Sequence, residues 1–582
     1  MPVANYNFQI KLTGSSYSHG QGGQTITPAR EITIQEALDH LKTRPNDRFM
    51  RYHLLKSLTS LKEEGIKLAV ELFKQEPSLP LFGFLVKTGS SSSQYPAVMA
   101  ALQSPGRQAG LEMFRRHPSP SVRAVLKGEA IGLTSIWERY FSLNRERHLA
   151  FQSIPSFSLP ITTDLLPIKG ETAVNLADFK PEVSASISFR TGTGLRTVKP
   201  METFARLESV KLLSDNDQPI SLAQYHGTYF ALFFTPSTRR VAVGPHEHTL
   251  TGTGHGSGKG LTQQAALVSA VMEALERYSA AEGVGNNWPD GYVADLSLTQ
   301  KTLAELRRDG LAALDPNQFN LEYPYENEPL HWVKGEVKNG SGESPIMVPA
   351  QIVFENSNLD EVEVFLTSSN GLASGNTMAE AKLHALLEVI ERDGDYSMYY
   401  QPARTFALSA EDKAIGPIIQ AYGAKGLSVQ LLDLTTEFGV PTYRAFIHLH
   451  DQILSGSGAH LDGRIAAFRA ICELNTKAFI YERHNRSLTP AAEQRADVRT
   501  MRFETLPSFS TMNVEEDLAL AERLMIANGL SVVYVDLTRA DLGIPVVRAI
   551  VPGLDLPPVI SRRQVKHLLE MFGNEGQLSD QP

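Results

Sequence analysis

The chain has 582 residues, of which 42% are hydrophobic and 20% charged, and a formal net charge of −9. This is the composition of a soluble globular protein with room for several domains, and the mild negative charge without a basic run excludes a dedicated nucleic-acid binder. The single cysteine, Cys472, excludes an internal disulfide or Cys-rich metal site, and no apolar run reaches the ~18 residues of a membrane span.

The first residues, MPVANYNFQIKLTG, lack the charged and apolar regions of a secretory signal, so a cytoplasmic location is expected. Residues 1–30 are rich in Gly, Ser and Thr and read as a flexible arm. Residues 31–150 read as an all-α domain of short helices with Pro turns. Thr33 and Glu36 have the spacing of a capping box. Residues 151–195 are richer in Pro, Ser and Thr and form the expected boundary. Residues 196–565 alternate strand and helix patterns, and 566–582 are a tail. TYFALFF, RRVAVG, IMVPAQIVF and EVEVFLTSS read as strands. His246 and His248, in GPHEHTL, read as loop residues without a third metal ligand.

Two helices carry the same carboxylate pattern. SAVMEALER holds Glu273, Glu276 and Arg277, and HALLEVIER holds Glu388, Glu391 and Arg392. Residues three apart share a helix face, so each copy offers two carboxylates on one side. Four carboxylates brought together call for cations, and hard divalent ions take oxygen ligands and bridge to phosphates. The repeat is wider than the motif. Gly260, Thr262, Ala266 and Ala270 match Gly375, Thr377, Ala381 and Ala385 in the same register. Downstream, GLSVQLLDLTTEFGVPTYRAF and GLSVVYVDLTRADLGIPVVRAI form a second related pair, each reading as a hairpin. The fold expected is a pseudo-symmetric α/β domain with mixed and antiparallel sheets and repeated helices.

Each Glu-Glu-Arg helix follows a Gly-rich loop, GHGSGKG or SSNGLASGN. Such a loop before a helix N-terminus is suited to phosphate. It is not a P-loop, because Thr253 and Gly260 stand where that pattern needs Gly and Ser or Thr. Lys259 remains able to reach a phosphate.

In order, GKGLTQQAALVSAVMEALERY, SSNGLASGNTMAEAKLHALLEVIERD and GSGAHLDGRIAAFRAICE resemble the motifs of the YcaO family, over roughly residues 190–560. The resemblance implies an enzyme that uses ATP and Mg2+ to phosphorylate a peptide backbone amide oxygen. A neighbouring Cys, Ser or Thr side chain then gives an azoline. Sulfide, often with a TfuA partner or another sulfur-delivery protein, gives a thioamide. A further branch is linked to ribosomal protein S12 methylthiolation.

On this resemblance, Glu273, Glu276, Glu388 and Glu391 would bind Mg2+, and Ser269 would line the nucleotide pocket. Arg277 and Arg392 would neutralise phosphate charge, and Asn376 and Glu380 would contact nucleotide or metal. Arg464 and Arg469 compete for a place near the γ-phosphate. His384 and Cys472 read as core residues on apolar helices. The ending NEGQLSDQP lacks the Pro-rich tail of many azoline-forming members, which favours thioamidation or an accessory role. The partner is a peptide or protein substrate, and a homodimer is the assembly considered. The reading from another class is a non-catalytic scaffold whose N-terminal helices recruit partners.

Overall fold

A computed structural model describes residues 7–13, 23–44, 47–75, 78–89, 141, 143–149, 173–209, 220–243, 246–281, 291–319, 321, 324–355, 359–360, 362–365, 368–491, 498–554 and 563. Most of the expected second half of the helical domain, the expected boundary up to residue 172 and the C-terminal tail lie outside these residues.

The N-terminal segment contains strands where a loose arm was expected. β1 (Phe8–Thr13) and β2 (Gly23–Pro28) pair antiparallel, and β1 also pairs parallel with the distant β7 (His246–Gly260), Phe8 opposite Leu250. Phe8 is fully buried against Phe49 and Leu250, and this burial holds the segment down. Helices α1 (Ile34–Thr43), α2 (Arg48–Ser60), α3 (Glu63–Gln75) and α4 (Leu79–Gly89) follow. Thr33 and Glu36 close the capping box at the start of α1. The helices share their core with β1, β2 and Leu250, so this unit is not purely α-helical.

A small hairpin of β3 (Phe189–Thr191) and β4 (Gly194–Arg196) precedes helix α5 (Pro200–Ser209). Among the described residues three larger sheets follow. The first has the order β2-β1-β7-β6-β5, adding β5 (Ile220–Tyr225) and the long β6 (Thr228–Val243). His246 and His248 lie in β7, not in a loop. The second contains β8 (Thr299–Lys301), β9 (Leu330–Asn339), β10 (Gly342–Pro349), β11 (Leu372–Ser374), β17 (Val532–Asp536) and β18 (Val546–Ile550), along the path β10-β9-β17-β18-β11. The third has the order β15-β14-β13-β12-β16: β12 (Thr405–Ser409), β13 (Gln430–Asp433), β14 (Thr442–His448), β15 (Ile453–Ala459) and β16 (Thr500–Arg502).

The two related hairpins form as expected, β13–β14 and β17–β18, each antiparallel. Two strand expectations fail in part. IMVPAQIVF is strand only to Pro349, after which Ala350–Val353 turn into a short helix. In EVEVFLTSS the described residues form no strand. The backbone N–H groups of Val364 and Phe365 donate instead to the Gln351 side chain, at 2.9 and 3.2 Å. Backbone donors need a partner when buried, but the partner need not be a strand.

Four long helices pack on these sheets: α6 (Gln263–Ala281), α7 (Met378–Ser397), α8 (Gly463–Arg483) and α9 (Val514–Ala527). Thr377 caps α7 and Asp462 caps α8. Among the described residues, no helix is long and apolar enough to cross a membrane.

Candidate active site

Three strand–helix units build the site, one more than the sequence motif revealed. In the first, β7 runs close against α6. A Cβ at Gly256 would sit 2.0 Å from the Ala270 carbonyl oxygen, and one at Gly258 would sit 1.9 Å from that of Ala266. Only glycine permits this approach. It brings Ser257 to Glu273, whose Oε2 accepts from the Ser257 N–H at 3.2 Å and from Oγ at 3.0 Å. One turn on, Arg277 donates to Glu273 at 2.9 Å.

β15 and α8 repeat this arrangement. A Cβ at Gly456 would meet the Leu474 N at 2.4 Å, and one at Gly458 would meet the Ala466 carbonyl oxygen at 2.5 Å. The Ser457 N–H donates to Glu473 at 3.3 Å, and Lys477 pairs with Glu473 at 3.3 Å. β11 and α7 form the middle unit, with Gly375 against the Ala381 N and Arg392 3.8 Å from Glu388. Glu273, Glu388 and Glu473 are thus equivalent, as are Arg277, Arg392 and Lys477. All six line one cavity of ≈ 460 Å³.

The second glutamate of each pair joins its unit to the next. Glu276 accepts from the Ser374 N–H at 2.8 Å and its hydroxyl at 2.7 Å. Glu391 accepts from the Ala459 N–H at 3.1 Å. Ser374 and Ala459 hold the same position in successive units, which in the first unit is Lys259. The third unit has Thr476 in place of the glutamate, and Lys259 lies 3.9 Å from Glu473.

Every residue expected at the site lines this cavity except Arg464. Arg464 donates to its helix-capping neighbour Asp462 through Nε at 2.9 Å and Nη2 at 2.6 Å. Arg469 faces the cavity, 3.6 Å from Glu391. Ser269 lines it one turn before Glu273. Glu380 is engaged with the chain itself. Its Oε2 accepts from Thr197 N and Oγ1 at 3.0 and 2.9 Å, and Asn376 Nδ2 donates to both its oxygens. Asn376 Oδ1 in turn accepts from Thr203.

Two features escaped the sequence reading. His384, read as a core residue, faces the cavity and accepts a hydrogen bond from Arg196 of β4. Burial, then Arg196 and Arg469, hold its imidazole well below the usual pKa, so it is neutral. Arg196 belongs to a segment with no motif of its own. Glu473 and Lys477 escaped because the third unit lacks the Glu-x-x-Glu-Arg pattern. The legible signal is the register of Gly456, Ser457, Gly458, Ala466, Ala470 and Glu473, which repeats that of Gly256, Ser257, Gly258, Ala266, Ala270 and Glu273.

The electrostatics divide the carboxylates. Burial, with Glu273 and Glu388 nearby, pushes Glu276 up to about 8. Burial, with Glu391 nearby, pushes Glu388 up to about 7. Burial also opposes ionisation of Glu473, but Lys477, Lys259 and Arg392 outweigh it and hold the group at about 2. Glu273 is likewise kept below its usual value, by Arg277 and Ser257 against burial. Two carboxyls that resist ionisation beside ionised ones mark a place where a cation is favoured. Among the described residues no three His, Cys, Asp or Glu lie close enough to hold an ion alone. Mg2+ usually takes one or two carboxylates and completes its shell with water and phosphate oxygens. The flanking arginines and lysines suit the phosphates. The donor set therefore fits Mg·ATP.

Comparison with known proteins agrees with this geometry. Residues 257–555 match the family model described as YcaO cyclodehydratase, ATP- and Mg2+-binding. An uncharacterised protein of Methanothermobacter thermautotrophicus is 34% identical over 341 residues, covering 53% of this chain and 84% of that one. An uncharacterised protein in the tfuA 3′ region of Rhizobium leguminosarum bv. trifolii is 30% identical over 353 residues, 54% of this chain and 79% of that one. A solved heterocyclase in complex with substrate and cofactor shares the fold, with a TM-score of 0.50 and 21% identity over 70% of this chain. The chain spans 57% of that heterocyclase's length. The cofactors are ATP and Mg2+. On the ordered motifs, the cavity they build and the family match, the chain belongs to the YcaO family.

Proposed function

We propose that this chain is a Mg2+- and ATP-dependent enzyme that phosphorylates a backbone amide oxygen of a peptide or protein, so that sulfide can replace that oxygen and leave a thioamide. The observation that carries the reading is the single cavity lined by Glu273, Glu388 and Glu473 with Arg277, Arg392 and Lys477. An amide oxygen is a poor leaving group, and phosphorylation makes it a good one. Phosphoryl transfer asks for positioning and charge neutralisation more than for covalent help.

When bound, Mg·ATP supplies the phosphoryl group and an electrophilic phosphorus. Glu276 and Glu391, tied to the neighbouring unit by Ser374 and Ala459, keep the three helices in register around it. Arg469, Arg277 and Arg392 offer cationic donors for phosphate oxygens. Neutral His384 accepts from Arg196 and holds that guanidinium at the cavity wall.

The relative from a tfuA 3′ region supports the thioamide branch over azoline formation by a Cys, Ser or Thr side chain. An accessory role in ribosomal S12 methylthiolation and a non-catalytic scaffold are the other readings. A TfuA-like partner would deliver sulfide. The test is incubation of candidate peptides with ATP, Mg2+ and sulfide, followed by mass spectrometry. Replacement of O by S adds about 16 Da and signals the thioamide, whereas loss of water, about 18 Da, signals the azoline. ATP binding without any change in peptide mass, with a partner present, would favour the scaffold.

A further inference from the structure

Arg563, beyond the segment matched by the family model, holds α7 from behind the cavity. Its Nη1 donates to Asp393, a side chain with no solvent exposure, and to Ser397 Oγ at 3.5 Å. Its Nε donates to both oxygens of Glu437 at 3.1 Å, and Nη2 donates to Glu437 Oε1 at 2.8 Å. The guanidinium also lies 5.5 Å from the ring centre of buried Phe438. One arginine thus bridges the last turns of α7 to the turn between β13 and β14. That turn is held on its other side by Asn175, which donates to the Glu437 carbonyl at 3.2 Å, and by Leu176, whose N–H donates to the Phe438 carbonyl at 2.8 Å.

The bridge bears on the site through the helix. Asp393 follows Arg392, so their side chains leave α7 roughly 100° apart. Arg392 faces the cavity, and Asp393 faces Arg563. Two residues on, Asp395 accepts from Ser457 Oγ at 2.5 Å and from Arg444 Nε at 2.9 Å. Ser457 is the residue whose N–H holds Glu473. The rotation and depth of these last turns therefore set both Arg392 and the Asp395–Ser457–Glu473 chain. A bidentate arginine fixes such a setting better than a point charge can.

We infer that Arg563 is a positioning residue that locks the C-terminal turns of α7, and with them Arg392 and Glu473, in the arrangement that receives the nucleotide phosphates. The inference rests on the Mg·ATP reading only in its binding arm. The test uses the full chain and the variants Arg563→Ala and Arg563→Lys. Two quantities are measured where circular dichroism shows each variant folded: hydrogen exchange of segment 388–397 without nucleotide, and the Kd for ATP with Mg2+.

The expected result for Arg563→Ala is at least tenfold faster exchange in 388–397, unchanged exchange in α1, and a Kd raised at least tenfold. Arg563→Lys falls between it and the wild type. Unchanged exchange in 388–397 overturns the inference. So does faster exchange with a wild-type Kd, which is the signature of a merely structural contact. If Arg563→Ala does not fold, Glu437→Gln removes one of the two anchors and is judged by the same criteria. If the wild-type chain binds no ATP, the proposed function fails. The exchange result alone then decides whether Arg563 locks α7.

Discussion

Glu276 and Glu391 make the same contact one unit apart. Each reaches from its helix to the main-chain N–H of an equivalent residue in the following strand, Ser374 at 2.8 Å and Ala459 at 3.1 Å. The pairing explains why Glu-x-x-Glu occurs twice and not three times. The first glutamate faces the cavity beside its arginine, and the second ties one unit to the next. After the third unit, Thr476 stands in the glutamate's place.

Glu388→Gln should weaken Mg·ATP binding at least tenfold at pH 8, about 1.4 kcal/mol. The amide keeps the shape but cannot ionise for a cation. Folding should be unimpaired, since burial disfavours the carboxylate and the neutral amide of the same shape does not carry that cost. Calorimetric titration with thermal denaturation checks both. Wild-type affinity in the variant would remove Glu388 from the site.

Glu473 should matter as much as Glu273, although it stands outside any Glu-x-x-Glu-Arg motif. Glu473→Gln and Glu273→Gln are expected to raise the Kd for Mg·ATP by similar factors, on the order of tenfold or more. A silent Glu473→Gln beside a defective Glu273→Gln would show that the third unit is a structural echo.

Arg469→Ala should lower turnover on the order of 100-fold, the scale of losing one preorganised donor to transition-state charge. Arg464→Ala should leave turnover near wild type, because its guanidinium is spent on Asp462. Steady-state ATP hydrolysis separates the two, and the reverse ranking would reassign the role to Arg464.

Stability should fall as pH rises from about 4.5 to about 8 in nucleotide-free protein. Glu276 and Glu388 have folded values near 8 and 7, above the ordinary 4.5. The folded chain therefore binds more protons than the unfolded one across that window, and the slope is negative. Mg·ATP should flatten it, because the cation favours the ionised forms. Glu473 acts in the opposite sense, with its contribution present above about pH 4.5 and lost toward pH 2. Melting temperatures at pH 6 and 8.5, with and without Mg·ATP, decide the matter. Equal slopes would contradict the assignment.

Gly258→Ala should destabilise the chain by about 1–3 kcal/mol, the usual range for overpacking. The added Cβ would meet a helix carbonyl at 1.9 Å, and backbone cannot move aside as a side chain can. A lower melting temperature with weaker nucleotide binding is expected. An unchanged melting temperature would show that β7 and α6 are less closely packed.

The sequence by itself determined which residues of the first two units share a helix face toward the cavity. Their glutamates and arginines recur at helical spacing, and local spacing is enough to put them on one helix face; the Gly-rich segments before them, read as loops, are instead strand β7 and, in part, strand β11. It also determined the Thr33–Glu36 cap and the two related hairpins, which are short-range patterns. Tertiary structure decided what depends on approach between distant segments. β1 is ordered because Phe8 pairs with Leu250, and the backbone donors of Val364 and Phe365 go to Gln351 instead of a neighbouring strand. His384 faces a cavity because Arg196 arrives from β4, and Glu473 joins the site because Gly456 and Gly458 let β15 close on α8. Each rests on a contact between separate segments, and of these only the Gly456–Gly458–Ala466–Ala470 spacing repeats a pattern visible in the sequence.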